Sequence, residues 1–159
     1  GPERRFAYEE GIRSPFLLRY PRRARAGSSI DKLVMSIDIA PTMVALGGGK
    51  PAATIQGESL LPLLRDPKAP WRKSILCEYY AENAMPWLVG MSYKAIRTSR
   101  HKYIHWVNKA GMAGIVDELY DLRDDPYELH NLIRSKVEAP RVARLRRELG
   151  KLVAQSVGL

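Results

Sequence analysis

The strongest periodicity in the chain lies at its end. Val142, Leu145, Leu149, Leu152 and Val153 recur at three- and four-residue steps. That spacing predicts a helix from about 140 to 156, with Arg144, Arg147 and Lys151 mostly outward. Upstream the period shortens to that of strands, predicted over 74–80, 89–98, 101–107 and 118–122. Ser99-Arg100 is a tight hairpin connection, 81–87 and 108–114 are loops, and Asp124-Asp125-Pro126 turns the chain out of the sheet. An apolar helical stripe needs one face of an antiparallel sheet to cover it. The last half therefore reads as a small four-stranded antiparallel sheet packed by a C-terminal helix.

The first half is patterned differently. Phe16, Leu17 and Leu18 form an apolar run between Pro15 and Pro21, which suits one buried strand over 16–20 whose partners are expected upstream. Ahead of it, charges are interleaved with Phe6, Tyr8 and Ile12, as in a segment feeding a pocket. After a polar connector, Asp38 is placed to cap a helix with Pro41 in its first turn. Ile39, Met43, Val44 and Leu46 supply its apolar stripe, and Gly47-Gly48-Gly49 ends it. No strand leads into those glycines and no Lys-Ser/Thr follows, so they read as a helix stop and not as a phosphate loop. Ser59–Leu64 is a short apolar helix or turn, closed by Asp66-Pro67. The link Lys68–Arg72, with Trp71 packed at the seam, is the best boundary, dividing the chain into 1–72 and 73–159.

Composition sets outer limits. A 45% hydrophobic chain of 159 residues can bury one modest core, and no apolar run approaches the ~18 residues of a membrane span. A single cysteine, Cys77, excludes an internal disulfide and on a strand reads as a small buried hydrophobe. The net charge of +9 sits at the ends: seven basic against three acidic residues in 1–30, seven against two in 134–159, and balance between. This reads first as solvated surface, with polyanion binding as the other reading, and nothing points to a specific nucleic-acid partner.

Metal chemistry finds little support. His101 and His105 have i,i+4 spacing, but on a strand residues four apart stand ~13 Å from each other and cannot share an ion. Asp124, Asp125 and Glu128 lack calcium-loop spacing and read as a charged turn closing on Arg or backbone donors.

Three blocks carry a specific resemblance. They are Arg4-Arg5-x-x-Tyr8-Glu9-Glu10-Gly11-Ile12-Arg13-x-Pro15; Ser36–Thr42 with Ile55–Leu64; and Glu118–Leu122 with Asp125–Leu132. In this order they resemble the C-terminal portion of the formylglycine-dependent sulfatases, the arylsulfatases and N-sulfoglucosamine sulfohydrolases of the alkaline-phosphatase superfamily. The resemblance implies an α/β fold, with 1–72 the tail of the large sulfatase domain and 73–159 a C-terminal sheet-and-helix subdomain. It also implies sulfate-ester hydrolysis in the intact enzyme, sulfated sugars among the substrates, and a periplasmic or extracellular place. Calcium and formylglycine are expected in a preceding catalytic part, which is also the expected partner of this chain. The Cys/Ser-x-Pro-x-Arg modification motif is absent here: Cys77 is followed by Glu78-Tyr79-Tyr80-Ala81. No catalytic or metal-binding residue is thus assigned, and the chain alone is expected to be inactive.

Substrate binding is assigned to four residues. Arg4 stands where the family carries a sulfate-facing Lys; as Arg it offers a planar, bidentate match to sulfate but no proton near neutrality. Tyr79, Tyr80 and Trp87 flank the 81–87 loop, where aromatic faces suit a sugar or aryl group. The alternatives are a phosphonate- or phosphate-ester hydrolase of the same superfamily, and a non-catalytic module binding sulfated polymer.

Overall fold

The computed structural model describes residues 6–80, 92–107 and 116–157. They fall into two compact units, one of residues up to Ser14 together with Ser74 onward, the other Pro15–Lys73. In the first, β1 (Ser74–Tyr79), β2 (Tyr93–Thr98), β3 (His101–Trp106) and β4 (Glu118–Asp121) pair antiparallel in chain order. The terminal helix α4 spans Ala139–Val157. All four expected strands and the helix are present. The 81–87 and 108–114 loops lie outside the described residues.

Strand alternation sorts the sheet into two buried faces. Ile96 lies opposite Tyr103 and Tyr103 opposite Leu119, and this set packs with Leu76 against Leu145 and Leu149 of α4. Val142, Leu152 and Val153 complete the contact, so the expected stripe is the docked one. Glu148 of α4 also accepts from the Ser74 hydroxyl at 2.6 Å. The opposite face carries Cys77, Tyr93, Ala95, Ile104, Trp106 and Tyr120. Ala7, Phe6 and Tyr8 cover it, ahead of the one-turn helix α1 (Glu9–Ile12). A second covering element on this sheet was not expected.

The second unit contains α2 (Ile39–Leu46), entered through a 3-10 turn at Ser36–Asp38, and α3 (Leu61–Arg65). Its hub is Asp38, fully buried. The expected capping role is replaced by another. The carboxylate makes no cap bond to α2. It accepts instead from the amides of Met35 (2.8 Å) and Glu58 (2.9 Å), and from both terminal nitrogens of Arg72 (2.5 and 2.8 Å). Burial pushes its pKa up, but Arg72 and the two amides outweigh this and hold it below the usual carboxylate range. Thr42 links the same elements, donating to the Asp38 carbonyl and accepting from the Leu60 amide. Gly57 is obligatory here, because a Cβ would stand 2.0 Å from the Ile37 carbonyl oxygen. These contacts are the physical content of the second sequence block. Trp71 donates to the Leu33 carbonyl at 2.7 Å, with Arg72 over its ring.

Two expectations for this unit are corrected. Residues 16–20 form no strand; the segment is extended, Phe16 is half-exposed and Leu17 is 94% exposed. An extended segment becomes a strand only by pairing, and no described strand lies beside it to accept its hydrogen bonds. Likewise Ile39, Met43 and Val44 are exposed, and α2 buries Pro41 and Thr42 instead. The helix is oriented by polar bonds through Asp38 and Thr42, which turn its apolar stripe outward. The glycine stop holds, with Gly48 in the left-handed region at φ 78°.

Candidate functional site

The covering segment 6–12 is built from the first sequence block. Phe6 and Tyr8 stack with ring centroids 5.8 Å apart, and Tyr8 meets Tyr120 edge-on at 6.2 Å. Burial, then the neighbouring Glu118 charge, pushes the Tyr8 phenol up to about 12. The aromatic cover leads into a buried ionic cluster. Glu9 receives Arg97 at 3.1 Å and the Lys102 ammonium at 2.8 Å. The same ammonium lies 2.8 Å from Glu128, whose other oxygen accepts from the Glu9 amide at 2.6 Å.

Each member is placed by its element. Arg97 and Lys102 are cross-strand partners of β2 and β3 on the face that 6–12 covers. Glu128 follows the turn after β4 and sits in the left-handed region at φ 56°. Asp125 organises that turn by accepting from the amides of Leu129 and His130. Asn131 completes it, accepting from the amides of Leu119 and Ile133. The third sequence block is therefore a turn that delivers the Glu128 carboxylate, as the expected charged turn closing on backbone donors. Burial would raise the Glu9 pKa, but hydrogen bonds from Arg97 and Lys102 prevail and lower it.

Sequence reasoning did not find this cluster. One signal was available. Lys102 alternates with Ile104 and Trp106 on β3, so a lysine on that buried face requires a carboxylate partner.

Of the four expected substrate-binding residues, Arg4 and Trp87 lie outside the described residues. Tyr79 stacks on Tyr93 at 6.0 Å as part of the buried face. Tyr80 is exposed; its hydroxyl donates to Glu78 at 3.0 Å and the Lys94 ammonium stands 6.0 Å from its ring. Cys77 is packed beneath this edge, and burial pushes its thiol up, so it is a hydrophobe and not a nucleophile.

The histidines are separately engaged. His101 lies 3.6 Å from Asp121, and His105 lies 3.1 Å from Asp117. Asp117 also accepts from the Tyr103 hydroxyl at 2.6 Å and meets Arg146 of α4 at 3.2 Å. His130 is 3.7 Å from Asp125. Among the described residues no three His, Cys, Asp or Glu side chains converge to hold an ion. The calcium and formylglycine of the sulfatases have no ligands or precursor motif here, and no step is assigned to them in this chain. No described helix is long and apolar enough to cross a membrane.

The geometry accounts for all three blocks, and comparison with known proteins extends the likeness over the whole chain. The N-acetylglucosamine-6-O-sulfatase of Bacteroides thetaiotaomicron is 35% identical over 162 residues, covering 97% of this chain and 26% of that protein. The solved structure of BT4656 in complex with its substrate D-glucosamine-2-N,6-O-disulfate aligns with a TM-score of 0.84 at 33% identity. That alignment covers 95% of this chain and 30% of the other. The phosphonate monoester hydrolase of Agrobacterium radiobacter aligns less fully, at TM-score 0.60 and 28% identity, covering 75% of this chain and 24% of the other. The chain thus spans between a quarter and a third of the length of these proteins. Residues 3–155 match the family described as N-sulphoglucosamine sulphohydrolase, C-terminal, and the chain belongs to that sulfatase family.

Proposed function

We propose that this chain is the C-terminal part of an enzyme that hydrolyses sulfate esters of amino sugars. The observation that carries the reading is the likeness over nearly the whole chain to a protein named for 6-O-sulfated N-acetylglucosamine. In this reading 1–72 continues the large α/β domain and 73–159 is its smaller subdomain, with 6–12 the stretch of the former that packs on the sheet of the latter. Arg4 faces the sulfate and supplies fixed positive charge to the oxygens on which charge develops. It does so without donating a proton. Tyr79, Tyr80 and Trp87 line the sugar side, Tyr80 with an exposed ring. Calcium and formylglycine, which together supply charge neutralisation and the nucleophile, belong to the preceding part of the enzyme.

The test is turnover by the whole protein containing this chain. Release of inorganic sulfate from 6-O-sulfated N-acetylglucosamine is expected, well above hydrolysis of an aryl phosphonate. The chain alone is expected to show no turnover of an aryl sulfate, with or without calcium. Faster phosphonate than sulfate-ester hydrolysis would move the protein to the other hydrolase class. Turnover by the chain alone that vanishes in Arg4→Ala would overturn the assignment of the nucleophile elsewhere.

A further inference from the structure

The ionic cluster beneath residues 6–12 is an unusual way to cover a sheet. The opposite face is closed by Ile96, Tyr103, Leu119, Leu145 and Leu149, a largely apolar set. Here a fully buried Lys102 is held between Glu9 and Glu128, with Arg97 on the outer side of Glu9. Well-packed apolar residues in such a place are often as stabilising as a buried ion pair, so stability alone does not account for the choice. What the charges add is a single permitted geometry. The Glu9 carboxylate must meet two cations, and the Glu9 amide must meet Glu128, before any member is satisfied.

The segment needs such a device. α1 is one turn long and too short to hold a helix by itself. Its Arg13 amide bonds back to the Glu9 carbonyl at 2.8 Å, so fixing Glu9 fixes the turn. Glu128 is committed to the same task, held in a backbone region that a side-chain-bearing residue seldom adopts. Phe6, at the start of the docked segment, is two residues after Arg4 in the sequence.

We propose that Glu9, Lys102 and Glu128 are positioning residues, a buried cluster that fixes the backbone of 6–12 and thereby sets Arg4 against the sulfate. What Arg4 meets rests on the sulfatase reading; the docking of 6–12 by the cluster does not.

The two parts separate experimentally in the whole protein containing this chain. Lys102→Met, Glu128→Gln and the double variant Lys102→Met/Glu128→Gln are compared with Arg147→Ala, on the outer face of α4. Hydrogen exchange is read at the amides of residues 9–13 and of β2 and β3. Kinetics are read as kcat and KM on 6-O-sulfated N-acetylglucosamine, and as inhibition by inorganic sulfate. Lys102→Met is expected to speed exchange at 9–13 about tenfold or more while β2 and β3 keep their protection. It should lower kcat/KM about tenfold or more and weaken sulfate inhibition. The double variant, which restores charge balance, should recover part of each loss, and Arg147→Ala should match the parent. If Lys102→Met unfolds the sheet, Glu128→Gln carries the same comparison. Unchanged exchange at 9–13 over an intact sheet overturns the proposal. Faster exchange with parental turnover and parental sulfate inhibition overturns the link to Arg4. A parent that turns over no sulfate ester sinks the sulfatase reading and with it the link to Arg4, and the exchange comparison still decides the docking.

Discussion

At the scale of single residues, the buried charges of the sheet unit make its stability depend on pH. His101 is the group that acts closest to neutrality. Burial pushes its pKa below 6.5, and Arg141 facing it from α4 adds to the effect. Asp121 and Glu138 oppose it, while Arg100 acts with Arg141. An unfolded histidine therefore binds a proton at a pH where the folded one does not. Stability is full above the unfolded value of ~6.5 and falls as the solution is acidified towards the folded value. Asp121 acts lower. Arg100 holds its carboxyl down at about 2, so its contribution is present above the ordinary ~3.9 and is lost as pH falls towards 2. Denaturant midpoints measured between pH 7.5 and 5.5 should fall in the parent chain and fall less in His101→Gln. An equal slope in both would assign the loss to another group.

At the scale of elements, α4 and the strands are held by their apolar periods, and here sequence was most informative. Leu145 and Leu149 are buried where the three- and four-residue steps place them. Truncating Leu149 to Ala should cost ~2–5 kcal/mol and lower the unfolding midpoint of the sheet sharply. Arg147→Ala, on the exposed side, should change stability by no more than ~0.5 kcal/mol. Equally mild effects would mean that α4 does not close the sheet. The elements that sequence misjudged share one cause: their place is decided by polar partners far along the chain. The carboxylate of Asp38 looked like a local cap, but Arg72, 34 residues away, takes it in a bidentate pair. Segment 6–12 carries no period long enough to announce a docking surface. Its partner Glu128 lies 119 residues on, a separation that no window of hydrophobicity can span. The run 16–18 shows the converse, since its apolar pattern is that of a strand but a strand exists only with a neighbour. Of the candidate site, the motif blocks were legible as resemblance, whereas the ionic bonds that give them their geometry were not.

At the scale of the whole molecule, the two units differ in how they are held. The sheet unit has continuous backbone pairing between β1 and β4 and a buried face on each side. The Pro15–Lys73 unit relies on Asp38, Thr42 and short helical turns, with Phe16, Ile37, Met43 and Leu17 exposed. Amide exchange reports such local differences in opening. Protection across 93–106 should therefore stand well above that of 15–21. Equal protection would show that 15–21 has found a pairing partner, such as a second copy of the chain.

The bond from the Glu9 amide to Glu128 also has a meaning for the ribosome. Residues 6–12 emerge long before the carboxylate that receives them, because 119 residues separate the two. At synthesis rates of ~5–20 residues per second, the delay is roughly 6–24 s. Throughout it Phe6, Ala7 and Tyr8 have no sheet to cover, and Glu9 has neither cation. The start of this chain must wait in solvent or on a chaperone while its own binding surface is still being made. A silent codon change that slows translation after β4 would lengthen that wait without altering one atom of the finished protein.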